Sequence, residues 1–197
     1  MSSTAFTDPR PVYTRATEQA AALIKTVRPE HLGGPTPCAE YDVRTLLSHI
    51  VGGTLRNAVI GEGGDGLAVH PFAEGVGDDG WAAAYDEVRV RVLRAWESDE
   101  RMTTLVRVPW GEVTGHAALS GYVMEIVTHT WDLAEALGRA GELDPELAEF
   151  ALATARRVLP GGRPGDHHFA ACRAAGDGAG VYERLAAWLG RAPFSRA

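Results

Sequence analysis

Glu125 and His129 stand four residues apart, a spacing that on an α-helix sets two side chains about 40° apart on one face and one turn along the axis. A carboxylate and an imidazole so placed can share one ligand. A second imidazole from a facing helix would complete the set of two nitrogens and one oxygen that open divalent-cation sites use. His49 is the candidate, flanked by Thr45, Gly52, Gly53 and Arg56 about 60° outside the edge of an apolar stripe. Glu125 is the only acid between Gly115 and Trp131, a stretch dominated by Ala117, Ala118, Leu119, Tyr122, Val123, Met124, Ile126 and Val127. A lone carboxylate on such a helix must be paired, neutralised or bound to a cation, because burying an isolated charge costs several kcal/mol. Spacing alone leaves the other outcome open: Thr128 and Asp132 extend the polar face, and the whole strip could meet solvent. The pattern is not HExxH, so metalloprotease chemistry has no support.

Neighbouring residues offer further chemistry, each with a plainer role beside it. Arg56 lies seven beyond His49, on the same face two turns on, and could clamp an acidic substrate or a thiol's carboxylate, or form a surface salt bridge. Tyr122, one turn before Glu125, could orient a metal-bound water or pack in the core. Asp132 could hold a histidine in place or be a helix-surface acid. Cys38 precedes a helix N-terminus, where thiolates are stabilised, yet its Pro-rich turn favours simple packing. His116 starts the long helix on a different face, His167 and His168 fall in a Gly-rich stretch, and His31 and His70 are loop residues without a discernible partner.

The elements that must position these residues read as helices. The first runs from about Val12 to Val27, with Ala16, Ala20, Leu23 and Ile24 on its stripe. Asp42 caps a second, carrying Val43, Leu46, Leu47, Ile50, Val51, Thr54, Leu55 and Ala58 to near Gly61. Residues 62–80 form a long Gly- and Asp-rich loop of the kind that borders clefts. Asp78 or Asp79 caps a third helix from Trp81 to near Ser98. Thr103–Val108 and Pro109–Val113 then suggest a short hairpin. Thr114 caps the longest helix, from Gly115 to about Leu137, with Gly138 as its stop. Helices over Pro145–Leu159 and Val181–Leu189 close the chain. Such lengths and short links point to an all-α four-helix bundle with additions. We expect one domain over residues 1–197, with its core at about 12–159 and an extension at 160–197.

Composition excludes several function classes. With 26 acids against 19 bases the net charge is −7, which argues against a nucleic-acid footprint built on clustered bases. Only Cys38 and Cys172 occur, so there is neither a secreted-type disulfide framework nor an all-cysteine zinc site. The N-terminus lacks the pattern of a signal peptide and no stretch reaches a membrane span, so the expected location is the cytoplasm. All but one of the 19 bases are arginine, a bias that fits a GC-rich genome.

A resemblance joins the separated pieces. Thr36-Pro37-Cys38-Ala39-Glu40-Tyr41-Asp42-Val43-Arg44-Thr45-Leu46-Leu47-Ser48-His49 resembles the TPC-x-x-W-x-V-x-x-L-x-x-H run leading into helix two of the actinobacterial metal-binding proteins related to the N-terminal domain of mycothiol-dependent maleylpyruvate isomerase, in the DinB-like superfamily. His129-Thr130-Trp131-Asp132-Leu133-Ala134 is similar to the family's H-x-W-D-L-A signature, and residues 183–191 resemble its short final helix. Tyr41 stands where tryptophan is commoner.

The resemblance implies a DinB-like four-helix bundle with additional C-terminal helices and at most a short β-hairpin. It implies one divalent metal, usually zinc with nickel as the alternative, held by His49, Glu125 and His129. Mycothiol would be the thiol cofactor, a small electrophile the substrate, transfer or isomerisation the reaction, and a homodimer the assembly. Arg56 and Tyr122 are the candidate substrate-binding residues. A non-catalytic metal- or ligand-binding module and a hydrolase using metal-activated water are the alternatives. In the isomerase a separate C-terminal domain contributes to the active site, whereas fewer than 40 residues follow Leu159 here, so that specific isomerisation does not carry over.

Overall fold

The structure is a computed structural model and describes residues 8–161 and 170–194. Its elements are α1 (Pro9–Ile24), α2 (Val43–Gly61), α3 (Trp81–Ala95), α4 (Asp99–Thr103), β1 (Leu105–Val108), β2 (Gly111–Thr114), α5 (Gly115–Ala136), α6 (Pro145–Val158) and α7 (Val181–Trp188). The mostly helical architecture with one short hairpin agrees with the sequence expectation.

Local chemistry sets most of the helix starts. Asp42 accepts from the Thr45 amide at 2.8 Å ahead of α2, and Thr114 accepts from the Ala117 amide at 3.3 Å ahead of α5. Asp8 and Asp144 cap α1 and α6, each with proline at the first helical position, where its missing N–H costs nothing. The first helix therefore begins at Pro9 rather than Val12. α3 departs from expectation: Gly80 occupies its N-cap without a side-chain bond, and the Asp78 carboxylate is engaged by Arg44 at 2.5 Å instead. The five-residue α4 has no sequence stripe long enough to announce it.

Helices α1, α3, α2 and α5 form a ring in which each packs on its two neighbours, and α6 and α7 lie against α5 from outside. α5 is thus surrounded. That explains its nearly continuous apolar sequence, with Leu119 and Leu133 wholly buried and each contributing about 2 kcal/mol by leaving water. Thr128 and Thr130 are also buried, and they return their hydroxyls to the carbonyls four residues back, Met124 and Ile126, both at 2.7 Å. The strand pair runs in register from Leu105 opposite Thr114 to Val108 opposite Gly111, and β1 alternates exposed and buried.

Trp81, Trp96 and Trp131 are buried, Trp188 is half-buried, and Trp110 is 51% exposed. The bundle itself thus covers four of its five tryptophans wholly or in part. No helix among the described residues is long and apolar enough to cross a membrane. His167 and His168 lie outside the described residues.

Candidate metal centre

α2 and α5 bring His49, Glu125 and His129 together, each offering a ligand atom within 4.8 Å of the others. His49 Nε2 stands 3.5 Å from Glu125 Oε1, close to the separation of two donors sharing one tetrahedral ion at about 2.1 Å. The side chains remain 17%, 30% and 11% exposed for His49, Glu125 and His129, so a small ligand can reach them. The solvent-strip alternative fails at its other members: Asp132 is fully buried and Thr128 nearly so.

Each imidazole is oriented through its other nitrogen. His49 Nδ1 meets the Pro71 carbonyl at 3.2 Å, and His129 Nδ1 meets Asp132 Oδ2 at 3.1 Å. A carbonyl only accepts and so does an ionised carboxylate, so Nδ1 donates in both rings, which leaves Nε2 of each ring, when neutral, with its lone pair. Two imidazole lone pairs and a carboxylate therefore converge with no donor of their own between them. Such a set repels itself unless a proton or a cation lies at its centre, and two nitrogens with one oxygen suit a first-row divalent ion. These residues fit the metal that the resemblance implies.

The supports of the centre are built in turn. Asp132 receives the Arg191 Nε–H, at 3.0 Å to each of its oxygens, and Arg191 Nη2 lies 3.9 Å from Cys38 Sγ. Arg191 follows α7, so the closing segment braces the His129 side of the centre. On the His49 side, the loop after α2 is tied down by Ser48, whose hydroxyl donates to the Ala73 carbonyl at 2.8 Å, and by Arg56, whose guanidinium donates to the Val69 carbonyl. Gly52 permits this approach: a Cβ there would fall 2.6 Å from the Pro71 carbonyl carbon and 2.7 Å from the Phe72 nitrogen. Tyr41 and Phe72 enclose the rings, at 5.5 Å and 5.2 Å from His49 between centroids.

Electrostatics favour ligand-ready forms. Burial is the largest influence on His129 and lowers it below its ordinary 6.5, against the raising effect of Asp132. Burial alone would raise Glu125, but its contact with His49, foremost, and the nearness of His129 and Arg56 hold it below its ordinary 4.5. Burial pushes the Cys38 thiol up, which disfavours a nucleophilic thiolate there.

The cavity beside the centre, about 20 Å³, is lined by Tyr13, Gly53, Tyr122, Glu125, His49 and His129 among others. Arg56 stands outside that lining, and its Nε and Nη2 donate to the Val69 carbonyl of the loop. Of the loop histidines, His31 accepts from the Arg28 amide and His70 is bonded to Phe72, so both have local partners. Sequence reasoning gave no role to Tyr13, Phe72, Pro71 or Arg191. Tyr13 looks like one more apolar-stripe residue, and Arg191 was visible only as the end of the closing motif.

The chain matches the mycothiol maleylpyruvate isomerase N-terminal domain over residues 13–134. It belongs to that family. The match takes in His49, Glu125 and His129 and ends before Arg191. Two uncharacterized proteins of Mycobacterium tuberculosis, one from strain CDC 1551 / Oshkosh and one from strain ATCC 25618 / H37Rv, are each 36% identical over 152 residues, covering 77% of this chain and 80% of the relative. No solved structure matches the chain.

Proposed function

We propose that this chain is a single metal-binding helical domain that holds one divalent cation, zinc in the first instance, through His49, Glu125 and His129. In this reading it uses the site to activate a low-molecular-weight thiol, mycothiol, toward a small electrophile in the cytoplasm. The observation that carries the reading is that His49, Glu125 and His129 each offer a ligand atom within 4.8 Å of the others, with His49 Nδ1 against the Pro71 carbonyl and His129 Nδ1 against Asp132. Family membership supports the thiol. A cation bound by two neutral imidazoles and one carboxylate keeps net positive charge and lowers the pKa of a thiol or water beside it.

The chain's own residues do the rest. Pro71 and Asp132 hold the imidazoles in the ligating tautomer, and Arg191 holds Asp132. Tyr41 and Phe72 wall the histidines with rings, which lowers the local dielectric and strengthens charge interactions at the centre. Neither cysteine belongs to the cluster of potential ligands, consistent with a reactive sulfur that arrives as a cofactor.

Metal analysis of protein purified without a nickel column should give about one divalent ion per chain, lost in both His49→Ala and His129→Ala. Unchanged stoichiometry in the two variants sinks the metal reading. Incubation of the loaded protein with mycothiol and a panel of electrophiles then addresses the reaction, and mycothiol bound without turnover identifies a binding module instead of an enzyme.

A further inference from the structure

Two phenols line the cavity beside the centre, Tyr13 from α1 and Tyr122 from α5. The Tyr13 oxygen accepts from Asn57 Nδ2 at 2.9 Å, and Asn57 Oδ1 in turn accepts from Trp96 Nε1 at 3.0 Å. With its acceptor capacity engaged from that side, the Tyr13 hydroxyl has its own hydrogen left over, and none of the described residues accepts it. The Tyr122 hydroxyl is buried and has no hydrogen-bond partner at all among the described residues. The Trp110 ring, 5.2 Å from the Tyr122 ring between centroids, covers it from outside. Thr54, the other hydroxyl in the lining, donates to the Ile50 carbonyl at 2.7 Å and is spoken for.

The cavity thus presents two unassigned O–H groups next to a cluster of lone pairs. Burial raises both phenols above the ordinary tyrosine value, so each keeps its hydrogen. An apolar ligand would leave both donors unmet, and a cationic one would meet two hydrogens of like polarity. An acceptor atom with two free lone pairs satisfies both at once, and one carrying negative charge does so best, because hydrogen bonds from neutral donors to a charged acceptor are among the stronger ones in proteins.

We propose that Tyr13 and Tyr122 form a paired donor cradle for the anionic group of the ligand that enters the cavity, a carboxylate or enolate oxygen or a thiolate. The proposal rests on the metal reading above and assigns these two residues to ligand recognition. Gly53 keeps the space open: a Cβ there would stand 3.3 Å from Glu125 Oε1.

The test uses cobalt(II)-loaded protein, whose visible spectrum reports ligands reaching the ion, titrated with acetate and, separately, with the carboxylate-free thiol 2-mercaptoethanol. Tyr122→Phe removes one hydroxyl that has no partner, so folding and cobalt affinity should be unchanged while affinity for at least one probe falls about tenfold or more. Tyr13→Phe should act in the same direction, with a stability loss added because Asn57 loses its acceptor. A larger fall for acetate assigns the cradle to a substrate oxygen, and a larger fall for the thiol assigns it to the cofactor. Equal affinities for both probes in wild type and Tyr122→Phe overturn the cradle. Failure of wild-type protein to bind cobalt overturns the metal reading instead.

Discussion

Two buried polar clusters share helix α2, eight residues apart, and they are built on opposite plans. Around Asn57, both ends of the side-chain amide are answered from within the chain: the amide donates to Tyr13, and the amide oxygen accepts from Trp96. Around His49, the outward-facing atoms are answered and the inward-facing ones are not. Pro71 and the Asp132–Arg191 pair satisfy the two Nδ1 atoms, while His49 Nε2 stands 3.5 Å from a Glu125 oxygen and His129 and the unpartnered Tyr122 line the same cavity. A buried polar network that closes on itself fixes a fold, and one left open toward a cavity is arranged for something that arrives later.

Substitutions should separate the two plans. The largest effect is expected at Arg191→Gln, which leaves the fully buried Asp132 without its cation; breaking such a pair costs about 3–5 kcal/mol. Urea unfolding of the metal-free protein measures it, and zinc affinity should fall about tenfold or more as His129 loses its orientation. A variant with wild-type stability and zinc affinity would show that the brace is decorative.

Next comes Asn57→Ala, which strands Trp96 Nε1 and leaves a cavity, for an expected loss of about 2–4 kcal/mol. Its stabilisation by zinc, read as the shift of the unfolding midpoint between metal and chelator, should match wild type. The converse holds for Glu125→Gln: stability without metal near wild type, and no shift with zinc, where wild type gains about 2.7 kcal/mol at a hundredfold excess over Kd. If Asn57→Ala loses the zinc response, the two clusters are one unit and the contrast fails.

Gly52→Ala should be milder, about 1–3 kcal/mol, since the Pro71–Phe72 backbone must move away from α2. Zinc binding should weaken with it because His49 loses the Pro71 carbonyl. The smallest effect is the pH dependence. His129 and Glu125 both titrate below their ordinary values of 6.5 and 4.5, so in these windows the unfolded chain binds more protons than the folded one. Their contribution is then fully present above pH 6.5 for His129 and above pH 4.5 for Glu125, and is lost as pH falls through each folded value. The unfolding midpoint of metal-free protein should decline on acidification from pH 7, less steeply in His129→Gln. A flat profile in wild type would remove these groups from the balance.

Much of this organisation was legible in the residues. The caps at Asp42 and Thr114, the stripe of α2, the hairpin and the near-continuous apolar sequence of α5 depend on neighbours within a few positions, and each appeared as expected. The Glu125–His129 pair was legible for the same reason, being one turn of one helix. The start of α3 was not, because the choice between capping and pairing for Asp78 turned on Arg44, thirty-four residues away. Arg56 misled in the same manner: a seven-residue spacing gave its face, but its guanidinium went to the Val69 carbonyl of a loop whose path no periodicity describes.

The helical class, the family motifs and the candidate ligand types could be read from the residues, since these follow from local propensity, apolar period and short-range spacing. Which potential ligand atoms come together was set by packing. That depended on a glycine letting a loop touch α2, on an arginine near the chain's end reaching Asp132, and on a tyrosine of α1 arriving beside Glu125. Each is a contact between residues remote in the chain, made by packing that no local pattern encodes.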